Sequence, residues 1–232
     1  MHKSSILRMK WFVDHYASTI PKSEIRVLDV GSYDVNGSYR HLFTDKKFQY
    51  TGLDMEAGPN VDIVLKNPYD WDTIATDNFD VVISGQALEH IEFFWVTMSE
   101  MTRVLKKDGM LCLIAPNGFS EHRYPVDCYR FFTDGMIALA RFVSLELLHA
   151  HTNCAPSAND IDWYSEKRAD SILIAQKPYG GQPKYVDPKT YKCVPENQET
   201  LRGGLVPYSR KKGLARVWDK VRRRLRSANA DE

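Results

Sequence analysis

The chain has no Cys-x-x-Cys pair among its four cysteines, Cys112, Cys128, Cys154 and Cys193. That absence argues against a zinc ribbon or a disulfide framework, and the scattered thiols read as those of a reducing, cytoplasmic compartment. No apolar run approaches the about 18 residues that a bilayer-crossing helix needs. The apolar residues from Ile6 to Ile20 are interrupted by Arg8, Lys10 and Asp14, so no export-signal core forms. An excess of one charge is also missing. The formal net charge is +1, which gives the molecule as a whole no pull on polyanions. Glycine and proline are not in excess, which sets aside collagen-like and low-complexity chains.

What is present suits a globular protein. With 232 residues, 43% hydrophobic and 26% charged, the chain can bury a core without staples and fits one domain plus an appendage. Apolar positions Ile6, Leu7, Trp11, Phe12 and Tyr16 recur at helical spacing, giving a leading helix within residues 1–22 that Pro21 closes. Short β-rich runs follow at 25–30, 48–53, 61–65, 79–84, 110–115, 143–150 and 171–176. Helical patterns are read at 37–43, 93–106 and 133–141, and Asp108-Gly109 reads as a turn. Phe79-Asp-Val-Val-Ile-Ser84 is almost wholly apolar, as a strand covered on both faces requires. The alternation predicts an α/β fold: a Rossmann-like, seven-stranded, mostly parallel sheet with helices on both faces and the last strand antiparallel. The domain is expected to span residues 1–177. From 178 to 232, Pro183, Pro188, Pro195 and Pro207 predict an extended tail.

The first loop carries the first functional signal. Val27-Leu-Asp-Val-Gly31 with Asp54 after the next strand is half of a nucleotide-binding βαβ unit. Gly31 lets backbone pass close to a ligand, the helix expected behind it offers free N–H groups, and an acidic residue ending the second strand accepts hydrogen bonds from ribose hydroxyls. The dinucleotide fingerprint is lacking, because Ser32, Tyr33, Asp34, Val35 and Asn36 follow Gly31. That weighs against an NAD-dependent enzyme. Asp29 suits a ligand with a cationic end, such as the methionine ammonium of S-adenosylmethionine.

Three further stretches carry a resemblance. Asn78-Phe-Asp-Val-Val-Ile-Ser-Gly-Gln-Ala-Leu-Glu-His90 resembles the fourth-strand motif of class I S-adenosylmethionine-dependent methyltransferases. Met101 to Pro116 is similar to their helix–turn–fifth-strand segment. His122-Arg-Tyr-Pro-Val-Asp-Cys-Tyr-Arg-Phe-Phe-Thr133 is similar to a signature of small methyltransferases associated with polysaccharide biosynthesis. The resemblance, to methyltransferases of type 11, spans residues 24–177. It implies that Asp29, Gly31 and Ser32 line the methionine end of the cofactor. Asp54 would hold the ribose with Met55 beside the adenine, and Asn67, Pro68 and Tyr69 would reach the adenine edge. Gln86 and Ala87 would face the cofactor from below. Some relatives hold a divalent metal with Glu-x-x-Glu-His at this point. Gln86 replaces the first glutamate, so no obligatory metal is expected, and Glu89 is read as a polar structural residue at a helix start.

Methyl transfer to a hydroxyl requires removal of a proton, and a histidine is the usual base. His90 and His122, which follow the fourth and fifth strands, are the two candidates. Arg123, Tyr124, Asp127, Tyr129 and Arg130 mix aromatic faces with hydrogen-bonding charges, a composition that suits a sugar. Asp127 and Arg130 equally suit an internal ion pair that braces the loop. The expectation is therefore O-methylation of a saccharide or saccharide-linked acceptor, with S-adenosylhomocysteine as product. The alternatives are a methyltransferase of RNA or another small molecule, or a non-catalytic binding protein of this fold. Nucleic acid is not expected as a partner, since the core lacks basic stripes with exposed aromatics.

In the tail, residues 211–226 set Leu214, Val217, Trp218, Val221 and Leu225 on one helical face among eight Lys or Arg. This composition predicts peripheral contact with an anionic membrane surface, with RNA attraction, partner docking and a solvated tail as the other readings.

Overall fold

Val27 to Val30 runs through the middle of a seven-stranded sheet, flanked by parallel neighbours on both sides. The computed structural model describes residues 3–118, 120–152 and 170–180. Cys154, Cys193 and the expected tail from 181 onward, with its basic segment 211–226, lie outside them. The strands are β1 (Ile25–Val30), β2 (Phe48–Asp54), β3 (Ile63–Val64), β4 (Phe79–Gly85), β5 (Leu105–Pro116), β6 (Glu146–Thr152) and β7 (Asp170–Gln176). Their order is β3-β2-β1-β4-β5-β7-β6. The ladders from β3 to β5 are parallel, and β7 runs antiparallel to both β5 and β6. This is the expected Rossmann-like architecture, with the antiparallel strand inserted between β5 and the edge.

Strand alternation divides the core in two. Ile25, Val27, Val81, Ile83, Cys112, Ile114, Ile172 and Ile174 face α1 (Lys3–His15), whose Met9 and Phe12 are fully buried against them. Leu28, Val30, Val82, Leu111, Leu113, Leu173 and Ala175 face the opposite way, toward α2 (Phe94–Val104) and α3 (Thr133–Phe142). Each fully buried Leu, Met or Phe contributes about 1.5–3 kcal/mol. The consecutive apolar residues of β4, buried throughout, thus serve two cores at once.

Several boundaries differ from the sequence reading. The helix expected over 37–43 is one 3-10 turn, Arg40–Leu42. Short polar side chains compete for the backbone there: Gly37 N–H donates to Asp34 Oδ1 at 2.6 Å, and Arg40 N–H to Ser38 Oγ at 3.0 Å. No helix end therefore stands directly behind Gly31. The pattern read as helix over 93–106 stops at Val104, because Leu105 is extended and pairs with Phe79. Asp108-Gly109 does not break the chain into a new strand. Asp108 takes φ 60° within β5, and the β4–β5 register shifts between Phe79 and Val81. The third strand shortens to two residues, and the sixth begins at Glu146 after Ser144 turns the chain with φ 58°.

Candidate cofactor and acceptor site

The carboxyl ends of β1, β2, β4 and β5 share one edge of the sheet, the place where open α/β sheets take ligands. Gly31 has φ 77°, and a Cβ there would collide with the Cβ of Ala87. The loops after β1 and β4 are therefore in contact at Gly31 and Ala87. Ser32 is buried. Its Oγ donates to the Asn60 carbonyl at 3.1 Å, and Asn60 Nδ2 donates back to the Ser32 carbonyl at 2.8 Å. The loops after β1 and β2 are thus tied by reciprocal bonds.

Asp54 orients its carboxylate with backbone amides. Oδ2 accepts from Tyr33 N at 2.9 Å, and Oδ1 accepts from Met55 N at 2.7 Å and Glu56 N at 3.3 Å. Spare lone pairs remain for ribose hydroxyls. Met55 is 44% exposed beside it and free to lie against a flat ring. In the loop after β3, Asn67 Oδ1 accepts from Tyr69 N at 2.9 Å, and the Tyr69 ring lies 5.3 Å from Phe93. A surface hollow of about 690 Å³ borders these loops at Asp34, Arg40, Asn60 and Asp62, and none of the expected cofactor residues lines it.

Asp29 is buried at the end of β1 and accepts a short hydrogen bond from the Tyr50 hydroxyl. Burial pushes its carboxyl up to about 7, against the partial relief of that bond. The native state therefore holds a proton that the unfolded chain releases near pH 4. Stability from the neutral carboxyl is full below pH 4 and is lost as pH rises through about 7. Asp29→Asn keeps an acceptor for Tyr50 and removes the titration. Urea unfolding at pH 5 and pH 9 is expected to show the variant gaining about 2 kcal/mol on the wild type across that interval.

Gln86, assigned to face the cofactor, also has partners within the protein. It takes φ 61°, and its amide turns toward α1, donating to Asp170 Oδ1 at 3.1 Å and Ser5 Oγ at 3.5 Å. There it joins a buried polar network. Ser4 Oγ donates to Asp170 Oδ2 at 2.6 Å, Ser5 Oγ shares a hydrogen bond with the Tyr39 hydroxyl, and Arg8 lies 3.7 Å from Asp170. Sequence reasoning missed this network, although Ser4, Ser5 and Arg8 interrupt the buried face of α1 that carries Met9 and Phe12.

His90 and His122 come together, their rings 5.1 Å apart and edge to face. His90 ends the 3-10 turn Leu88–His90 after β4. The loop after β5 folds back on that turn through Cys128 N to Glu89 O at 2.7 Å, and it brings His122 with it. His90 Nδ1 meets the Val126 carbonyl at 2.5 Å, which fixes the Nδ1–H tautomer and leaves Nε2 as an acceptor. Burial lowers the His90 pKa, so the ring is neutral at pH 7. Glu89, read as a polar structural residue, is fully buried, and neither carboxylate oxygen has a hydrogen-bond partner among the described residues. Burial pushes it up to about 8. Glu89, His90 and His122 each offer a ligand atom within 4.8 Å of the others, the one such group among the described residues.

Asp127 and Arg130 form the bracing pair: Arg130 Nη2 lies 2.7 Å from Asp127 Oδ2, and that carboxylate also accepts from His122 N at 2.7 Å. The guanidinium holds the Asp127 carboxyl well below the usual range. Tyr129 packs on Phe94 and donates to the Glu92 carbonyl at 2.8 Å. Arg123 and Tyr124 are exposed, with Tyr124 ahead of a cis bond to Pro125. Of the five residues assigned to the acceptor, these two present their side chains outward.

The family model described as methyltransferase domain matches residues 28–113, from the middle of β1 through most of β5. Among solved structures, a candidate methyltransferase from Bacillus halodurans C-125 is 17% identical, with 75% of this chain and 99% of that one covered and a TM-score of 0.53. A SAM-dependent methyltransferase from Archaeoglobus fulgidus is 14% identical, with 75% and 95% covered and a TM-score of 0.53. The fold is the methyltransferase fold. The [4+2]-cyclase SpnF is similar to the same degree, at 17% identity, 75% and 81% coverage and a TM-score of 0.55. No curated protein matches the sequence. At such identities the likeness carries the architecture, and chemistry has to be argued from the site.

Proposed function

We propose that the chain is an S-adenosylmethionine-dependent methyltransferase that methylates an oxygen of a saccharide or saccharide-linked acceptor. The observation that carries this reading is the position of Asp29 and Asp54. They lie at the ends of two adjacent parallel strands, with His90 and His122 in the segments that follow β4 and β5. The carboxyl of Asp29 suits an ammonium group, whose positive charge would favour its ionised form, and the amide-oriented carboxylate of Asp54 suits a vicinal diol. When bound, the cofactor supplies an electrophilic methyl group on a sulfonium, and the S–CH3 bond breaks as the O–CH3 bond forms. The chain's own part is alignment and proton handling. The acceptor hydroxyl has to stand about 3–3.5 Å from the methyl carbon, and neutral His90 or its neighbour His122 would take the proton. Exposed Tyr124 offers a ring for a sugar face, and Arg123, whose Nε donates to Glu121 at 2.7 Å, offers the rest of its fork to a hydroxyl, phosphate or carboxylate.

Incubation with S-adenosylmethionine and a panel of nucleotide sugars and glycans tests the acceptor class. S-adenosylhomocysteine formed in step with one acceptor is the expected result. A protein that binds cofactor and turns over none of the panel, but methylates RNA or a small amine, contradicts it. The fold has no helix, among the described residues, long and apolar enough to cross a membrane. We further propose a cytoplasmic protein whose basic segment 211–226 touches an anionic leaflet, each cation there contributing about 1 kcal/mol. Co-sedimentation with phosphatidylserine vesicles is expected, and it should be lost on deleting residues 211–232. Unchanged binding after the deletion contradicts the assignment.

A further inference from the structure

We propose that Glu89, His90 and His122 form a binding site for one divalent transition-metal ion. Glu89 is a buried acid that the described residues leave unpaired. A carboxylate with no solvent access and no hydrogen bond is so unfavourable that it takes up a proton instead, and a bound cation is what would hold it ionised. Both Glu89 oxygens lack solvent access and a hydrogen bond among the described residues. Arg130, the nearby guanidinium, is committed to Asp127, and His90 Nε2 approaches Glu89 Oε1 only to 3.8 Å.

The surroundings are those of a ligand set. Metal-binding imidazoles commonly engage their second nitrogen with a carbonyl or carboxylate, which fixes the ring and its tautomer. Both rings do so. His90 Nδ1 meets the Val126 carbonyl at 2.5 Å, and His122 Nδ1 lies 3.4 Å from the Ser120 carbonyl and 3.5 Å from Asp127 Oδ2. In a tetrahedral set, two donors each about 2.1 Å from one ion stand about 3.4 Å apart. The three ligand atoms lie within 4.8 Å of one another, so closure takes at most about 1.4 Å. His122 can supply it, because its side chain is 39% exposed and sits on a loop.

Two imidazoles and one carboxylate favour Zn²⁺, Co²⁺ or Fe²⁺ over Mg²⁺, and three protein ligands leave coordination positions open. The reason for expecting no obligatory metal was the neutral amide at Gln86. That side chain is turned to Asp170 and Ser5, and the third ligand comes from His122, 36 positions further along the chain. On the methyltransferase reading above, the open positions would take acceptor oxygens. In the metal-loaded protein the two histidines would hold the ion instead of taking the proton themselves. The ion would supply Lewis-acid polarisation of the acceptor hydroxyl, whose proton would pass to water as its oxygen forms the O–CH3 bond and S–CH3 breaks. The direct base role of the histidines belongs to the metal-free protein.

The test is Co²⁺ binding to untagged, chelator-treated full-length protein, followed by visible absorption and calorimetry. One ion per chain with a d–d band is expected. Glu89→Gln and His122→Ala should each weaken binding at least about tenfold, the minimum cost of losing even a supporting contact. His149→Ala, at the separate His149–His151 pair, should leave it unchanged. Glu89→Gln is near-isosteric, and thermal melts of both variants establish that they fold. A wild type without the d–d band, or one whose band survives both substitutions, overturns the site. Because the readout is metal binding, failure here is distinct from failure to methylate.

Discussion

Replacing His90 and His122 together by alanine is expected to lower methyl transfer about 10²–10⁴-fold, the range that proton removal by a positioned group supplies. Cofactor affinity should change little, because neither ring belongs to the Asp29–Gly31–Asp54 end of the edge. The rings are 5.1 Å apart, so either single variant leaves one imidazole beside the acceptor. The singles should therefore be milder than their product, and the double variant decides. Initial rates at saturating S-adenosylmethionine, with cofactor binding measured separately, give the comparison. Wild-type turnover in the double variant would remove both histidines from the chemistry.

Gly31→Val is expected to have the largest structural effect. Its φ of 77° is costly for a β-branched residue by about 1–2 kcal/mol, and the new Cβ would meet Ala87. Overpacking of that kind costs about 1–3 kcal/mol. Together the two effects predict about 3 kcal/mol or more of lost stability, a fall in Tm of about 6–12 °C. The loops after β1 and β4 would be forced apart where the cofactor's methionine end is assigned, so binding should be lost even at temperatures where the variant stays folded. Thermal unfolding with and without S-adenosylmethionine measures both effects. A variant that is stabilised by cofactor as well as the wild type is would contradict the assignment of Gly31.

Much of the sheet was legible because its strands are apolar runs bounded by turn residues. Phe79–Gly85 reads as a strand buried on both faces, and it is buried throughout. The single turn where a helix was expected behind Gly31 was less legible. Tyr39, Leu42 and Phe43 carry an apolar pattern, but Asp34 and Ser38 bind the backbone locally and hold it in turns. The strand that continues through Asp108-Gly109 was hidden for the reverse reason: a dipeptide typical of turns is absorbed as an irregularity inside β5.

The candidate site divides the same way. Asp29, Gly31 and Asp54 could be placed because each ends a strand, and strand ends are visible in one dimension. His90 and His122 could be named as alternatives, but not as neighbours. Their contact depends on the loop after β5 folding back onto the turn at Glu89. Gln86 stands just after β4 as read, but its bonds to Asp170 and Ser5 join residues 84 and 81 positions apart in the chain, which no spacing rule conveys. Asp127 and Arg130 had two readings, and their geometry realises the bracing pair.

The central claim is that this edge of the sheet binds S-adenosylmethionine through Asp54. Calorimetric titration of the wild type and Asp54→Ala with S-adenosylmethionine tests it most directly. Losing two hydrogen bonds to a charged acceptor should cost about 3 kcal/mol, roughly a hundredfold in Kd. The account predicts micromolar binding in the wild type and that loss in the variant, both shown folded by circular dichroism. A folded wild type that binds no cofactor would contradict it and leave a methyltransferase fold with a non-catalytic role.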